Sequence, residues 1–161
     1  MDSAKLNDWM HVIGIFAVVA SLIFVGLEMR QAHDISLSQA YQSRTSTAAE
    51  WNTAFAANPA ALSAFRKAAD GATEDITTEE YEALRRTMLG LFYLYDNAHY
   101  QYQQGFVSER FWTMTRESLK RIMMNPVTKT VFMERLDLGA RPGFRAVMLS
   151  ISEELEANPD E

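Results

Sequence analysis

A run of nineteen residues from Trp9 to Leu27 contains no charged side chain. An α-helix rises about 1.5 Å per residue, so a helix over this run is about 28 Å long, close to the roughly 30 Å hydrocarbon thickness of a bilayer. No later segment of the chain is as long and as apolar. The sequence therefore predicts a single transmembrane segment, residues 9–28.

The flanks of this run favour a retained anchor over a cleaved secretory signal. A secretory signal starts with net positive charge and ends in a small-residue cleavage site. Here Lys5 is offset by two aspartates, and Glu28-Met29-Arg30 follows the run without such a site. We expect residues 1–8 to form an N-terminal cap and residues 29–161 to form an extramembrane helical bundle domain.

The side of the membrane follows from the positive charges near its two ends, because lysine and arginine concentrate on the cytoplasmic side. Lys5 precedes the segment, whereas Arg30 and Arg44 follow it. This difference of one charge favours a cytoplasmic location for the helical domain.

Composition excludes several classes of function. The 161 residues include no cysteine, which excludes disulfides, thiolate metal sites and cysteine catalysis. The net charge of −6 argues against nucleic-acid binding, so we expect no nucleic-acid partner. The sequence contains no phosphate-binding loop and no nucleophile motif. We therefore predict a protein that is not an enzyme.

The pattern of apolar residues predicts an all-α fold. No glycine or proline occurs between Gly26 and Pro59, so the transmembrane helix is expected to continue as one long helix to Asn58-Pro59. Start and stop signals then define five further helices, which form a bundle with it. Their predicted limits are Pro59 to about Ala69, the capping box Thr77/Glu80 to about Gln104, Ser108 to Asn125, Pro126 to near Gly139, and Pro142 to beyond Leu155.

Two features of the long helix predict self-association. Small residues recur on one face of the transmembrane segment, and small residues allow helices to approach closely in lipid. A heptad-like apolar seam continues beyond it. The predicted contact residues are Gly14, Ala17, Ser21, Leu37, Tyr41, Ala48, Trp51 and Phe55.

Asp96 and His99 form the candidate metal pair, because their i, i+3 spacing places a carboxylate and an imidazole on one helix face. Di-iron bundles use two Glu-x-x-His pairs with two further carboxylates, and this chain has one pair with aspartate in place of glutamate. A buried histidine held by an aspartate explains the residues equally well. We expect no metal and no cofactor.

An aromatic stripe on the same helix is a possible ligand pocket. Such stripes are more often core, but aromatic side chains also line pockets for apolar ligands. The candidate lining residues are Phe92, Tyr95, His99 and Tyr102, and Gly90 nearby predicts a close helix crossing.

Three stretches of the sequence carry a resemblance to a known family. They are GIFAVVASLIFVGLEMRQ, the Ser-Gln-Ala-Tyr-Gln segment that follows, and NPVTKTVFMERLDLGARPGFRAVM near the end. The chain resembles a family of small bacterial single-pass membrane proteins that have an AVVxSLxxVGxxxRQ segment and no assigned activity. The resemblance implies a bacterial inner-membrane setting and assigns no functional residue.

These observations lead to three functional hypotheses. The leading one is a non-enzymatic, membrane-anchored protein that forms a homo-oligomer or serves as an accessory or scaffold subunit of a larger membrane complex, with membrane lipid as its surroundings. The alternative is a sensor or a helical bundle that binds a small molecule or lipid. The third is an oligomer that lines a pore.

Overall fold

The computed structural model describes residues 3–157, with side chains from residue 9 onward. Within this range the chain forms six α-helices, one short 3-10 turn and no strand. The predicted all-α class is confirmed, with one long N-terminal helix and five further helices. Side chains of the predicted cap, residues 1–8, lie outside the described part. The elements are α1 (Ser3–Ala56), α2 (Pro59–Ala69), the 3-10 turn (Thr73–Asp75), α3 (Thr78–Gln103), α4 (Glu109–Met123), α5 (Pro126–Asp137) and α6 (Pro142–Ala157).

The chain divides into two compact units, Met1–Gln42 and Ser43–Glu161. In the first unit, every side chain from Trp9 to Leu27 is exposed. A Cβ placed on Gly14 or Gly26 would meet no other part of the chain within 4 Å. Among the described helices, α1 alone is long and apolar enough to cross a membrane.

The second unit begins and ends its helices where the sequence predicts. A side-chain oxygen caps the first turn of α2, α3, α4 and α5, and each accepts a backbone N–H three residues later. Glycines in the left-handed conformation, which favours glycine, follow α2, α3 and α5. The capping residues are Asn58, Thr77, Ser108 and Asn125, and the glycines are Gly71, Gly105 and Gly139.

The core of the second unit forms around α3, which packs against α2, α4, α5 and α6. At its centre the ring of Phe92 meets Phe132 and Phe144 edge to face, with centroids 5.5 and 5.4 Å apart. Edge-to-face contact suits the charge distribution of aromatic rings. All three rings are fully buried. Burial of these large side chains from α3, α5 and α6 stabilises the bundle through the hydrophobic effect.

Glu80 links α2 to the start of α3 in addition to completing the capping box. Its carboxylate accepts hydrogen bonds from Lys67 Nζ at 2.8 and 2.9 Å, from Ser63 Oγ at 2.5 Å and from Thr77 N at 2.9 Å. The Lys67 hydrogen bond is the main reason why the pKa of Glu80 falls from 4.5 to about 2, and Ser63 and Thr77 lower it further. Charged donors favour the ionised carboxylate.

We expect this cluster to make stability depend on pH in the acid range. Because the folded state lowers the pKa of Glu80, the stabilisation is fully present above about pH 4.5 and is lost as pH falls through about 2. Glu80→Gln should therefore show a smaller loss of stability between these pH values than the wild type. Urea unfolding midpoints at a series of pH values measure this, with Glu79→Gln, outside the cluster, as the control. Parallel pH profiles for wild type and Glu80→Gln would contradict it.

Trp51, near the end of α1, lies over the internal glycine of α3. Its indole Nε1 donates a hydrogen bond to Thr87 O at 2.9 Å, and its Cδ1 would be 3.4 Å from a Cβ at Gly90. Phe55 stacks on the same indole with centroids 5.2 Å apart and meets Phe65 edge to face. The close approach at Gly90 is thus made by a side chain of α1 and not by a helix backbone.

Gly90→Ala should raise the free energy of unfolding by about 0.5–1 kcal/mol, because alanine is the better helix former and 3.4 Å is an ordinary van der Waals contact. Gly90→Leu should lower it, since the longer side chain displaces the indole of Trp51. Urea unfolding followed by circular dichroism measures both. If the leucine variant were as stable as the alanine variant, Trp51 would not be held against α3 as described.

Candidate functional site

A groove in the second unit lies between the last turns of α1, the middle of α3 and one face of α4. Its volume is about 510 Å³, within the roughly 300–1,000 Å³ range of small-molecule sites. The residues that line it are Ser43, Arg44, Thr47, Ala48, Trp51 and Asn52 from α1, Leu91, Leu94, Tyr95, Asn97 and Ala98 from α3, and Phe111, Thr115, Ser118, Arg121 and Ile122 from α4.

The polar groups of the groove include a hydroxyl pair between α3 and α4. Tyr95 OH and Ser118 Oγ are 3.1 Å apart and share a hydrogen bond. Burial raises the pKa of Tyr95, while the Ser118 hydrogen bond and the nearby charge of Arg121 lower it by less. Tyr95 therefore stays a neutral phenol at physiological pH, able to donate or accept a hydrogen bond.

Arg44 lies on the α1 wall and is held by α3 and α4. Its Nη1 donates a hydrogen bond to Gln101 Oε1, and its guanidinium lies 5.5 Å from the ring centroid of Phe111. A guanidinium at this distance from a ring is attracted to the π-face. These contacts connect α1 to both other walls of the groove.

The four predicted pocket residues separate into two environments. Tyr95 lines the groove. Phe92 lies in the aromatic centre of the core, and Tyr102 stacks on Trp112 with centroids 5.6 Å apart. The ring of His99 is buried between Trp112 and Phe144, at 4.9 and 5.8 Å. Of the four, Tyr95 alone lines this groove.

Asp96 and His99 lie next to the start of α6. Asp96 Oδ2 is 3.5 Å from Arg141 Nε, and Asp96 Oδ1 is buried without a hydrogen bond from any described residue. Burial lowers the pKa of His99, an effect that the charge of Asp96 opposes. In the described part of the chain, no three His, Cys, Asp or Glu residues come together as a metal site would need.

The first turn of α6 approaches His99 closely. A Cβ on Gly143 would stand 3.0 Å from His99 Cε1 and 2.6 Å from Gln103 Nε2. Such distances are shorter than ordinary contacts, so the absence of a side chain at Gly143 lets α6 begin against α3.

The predicted association residues are placed as follows. In the first unit, Gly14, Ala17, Ser21 and Tyr41 are exposed and Leu37 is half-buried. In the second unit, Ala48 lines the groove, while Trp51 and Phe55 pack against the bundle of the same chain. The C-terminal end of the predicted seam is therefore used in intramolecular packing.

Sequence reasoning missed the α4 wall of the groove. Thr115, Ser118, Ile122 and Arg121 share one helix face through i, i+3 and i, i+4 spacing. The sequence signal for this wall is a mixture of polar and apolar residues on one face of a short helix. Many helices that line no cavity have such a face, so the pattern does not indicate a binding site.

No protein-family model, no curated protein and no solved structure matches this chain.

Proposed function

We propose that the protein is a non-enzymatic, single-pass protein of the bacterial inner membrane that acts as a homo-oligomeric or accessory subunit of a membrane complex. The observation that supports this is that every side chain of residues 9–27 is exposed, in a helix of membrane-spanning length. Water would be an unfavourable surrounding for so many apolar side chains, and lipid or other transmembrane helices would cover them. We place the helical domain on the cytoplasmic side, because Arg30 and Arg44 follow the apolar run and Lys5 alone precedes it.

The association surface proposed for this role lies on the first unit. Gly14, Ala17 and Ser21 follow spacings of three and four, so they share one face, which the chain's own residues leave uncovered. Leu37 and Tyr41 extend the surface beyond the apolar run. Because Trp51 and Phe55 pack within the chain and Ala48 lines the groove, the proposal depends on the other five residues. Several copies around one axis would line a pore, the third hypothesis.

The test is the mass of the full chain, purified from native membranes in mild detergent. The wild type should form a defined oligomer or keep a partner. A Gly14→Leu/Ser21→Leu double variant should lose that assembly, because leucines prevent close approach of the helices. Val19→Leu, on the opposite face, is the matched control. A strictly monomeric wild type with no co-purifying partner would overturn the proposal.

A second candidate function, binding of a small molecule, is favoured by the groove. Seven of its sixteen lining residues are apolar and nine are polar, so it offers a ligand both apolar surface and hydrogen-bond partners. Thermal unfolding across a panel of metabolites and lipids tests this, since a ligand that binds the folded state raises its stability. No shift with any compound would count against it.

A further inference from the structure

The charge of the groove differs from that of the whole chain. The chain carries 21 acidic and 15 basic side chains, yet the sixteen residues that line the groove include two arginines and no aspartate or glutamate. Because its charged lining residues are all arginines, the electrostatic potential inside the groove is expected to be positive although the whole chain is acidic. Such a cavity favours a ligand that carries negative charge.

The two arginines are not equivalent. Arg44 is engaged by Gln101 and by the ring of Phe111. Arg121 forms no ion pair with the residues that the structure describes, and its side chain is exposed at the groove. Ser118 lies three residues before Arg121 on the same face of α4. The hydroxyl pair that Ser118 forms with Tyr95 is therefore next to Arg121. Arg121 is thus the charged donor available to an incoming anion.

One part of the groove is suited to a hydrocarbon chain. Leu91, Leu94 and Ile122 line the groove together with Trp51 and the small side chains of Ala48 and Ala98. A ligand that meets both environments needs an apolar body and one anionic end. We infer that the groove binds a single-chain fatty acid, with its carboxylate on Arg121, Tyr95 and Ser118 and its alkyl chain along the apolar walls. This inference rests on the second candidate function, binding of a small molecule by the groove.

The experiment uses the full chain in phosphatidylcholine nanodiscs, with Trp9→Phe as the background because Trp9 begins the apolar run. The probe is dodecanoate brominated at its chain end, which quenches nearby tryptophan. Saturable quenching should appear, and Trp51→Phe should remove most of it, because Trp51 lines the groove. The bromo-alcohol of the same length is the uncharged comparison.

Charge recognition is tested at Arg121. Arg121→Gln should raise the Kd for the acid about tenfold or more, since a charged hydrogen-bond donor is lost, and should leave the Kd for the alcohol nearly unchanged. Arg110→Gln, an exposed arginine of α4 that does not line the groove, is the matched control and should change neither. Ala48→Phe, which adds bulk from an exposed position of the α1 wall, should weaken both ligands, with circular dichroism as the check on folding.

The possible outcomes separate the two proposals. If acid and alcohol bind equally well and Arg121→Gln affects neither, the groove binds apolar molecules and the inferred ligand class is wrong. If neither compound quenches saturably, the inferred ligand class is wrong, and the binding function is wrong as well only if the metabolite and lipid panel also gives no thermal shift. An equal effect of Arg110→Gln and Arg121→Gln would also overturn the inference, because it would show attraction to the general charge of α4.

Discussion

Phe92→Ala is expected to lower the free energy of unfolding by about 3–5 kcal/mol, the usual cost of removing a fully buried phenylalanine. The ring fills the centre of the core and contacts Phe132 and Phe144 at once, so its loss leaves a cavity that three helices have to close together. Because these helices are fixed by other contacts, the cavity collapses only in part. Urea unfolding of the full chain in mild detergent, followed by circular dichroism, measures the change.

Two comparisons isolate the cause of this loss. Phe92→Leu keeps most of the volume and should cost clearly less than the alanine change. Tyr93→Ala removes the neighbouring aromatic residue, which is exposed, and should cost much less than Phe92→Ala. If Phe92→Ala and Tyr93→Ala were equally destabilising, the arrangement of the aromatic core described above would be wrong.

Asn125→Ala should lower the free energy of unfolding by about 2 kcal/mol, because one buried side chain serves two helices. Its Oδ1 caps α5 by accepting from Thr128 N at 3.1 Å, and its Nδ2 donates to Phe65 O in α2 at 2.9 Å. Loss of a cap costs about 1 kcal/mol, and loss of the second, part-buried hydrogen bond to α2 costs about 1 kcal/mol more. The same urea unfolding experiment measures the loss.

The chain supplies a matched control at the other Asn-Pro helix start. Asn58 caps α2 by accepting from Ala61 N, also at 3.1 Å, but it is only half-buried. Asn58→Ala should therefore cost about 1 kcal/mol, the cap alone. Asn125→Asp keeps the acceptor and loses the donor to Phe65 O, so its stability should lie below that of the wild type. Equal losses for the two alanine variants would show that the link to α2 contributes nothing.

The helix limits could be predicted because their causes are local in the sequence. Asn58-Pro59, Thr77 with Glu80, Ser108 and Asn125-Pro126 each act within one helical turn, and the observed starts of α2 to α5 follow them. A glycine after a helix likewise acts on its own backbone, as at Gly71. Such signals need no knowledge of which helices later meet.

The site could not be predicted in the same way, because it depends on which helices become neighbours. Phe92 and Tyr95 are three residues apart on α3, yet one lies in the core and the other on the groove. Helical periodicity places them on overlapping faces and does not say which face α4 or α5 will cover. The partner of Trp51, a backbone carbonyl of α3, has no sequence signature at all.

The narrow space at Gly143 has a consequence for tolerance to substitution. First-turn positions of helices usually accept many side chains, but at the half-buried Gly143 the facing ring of His99 is held between Trp112 and Phe144 and has little room to move. The Gln103 amide can turn away from a new Cβ, whereas His99 cannot do so without disturbing the two rings. In a saturation library of this chain that is selected for folding, variants with any side chain larger than glycine at position 143 should therefore be depleted. The residue preferences of helix starts alone would predict that this position tolerates many side chains.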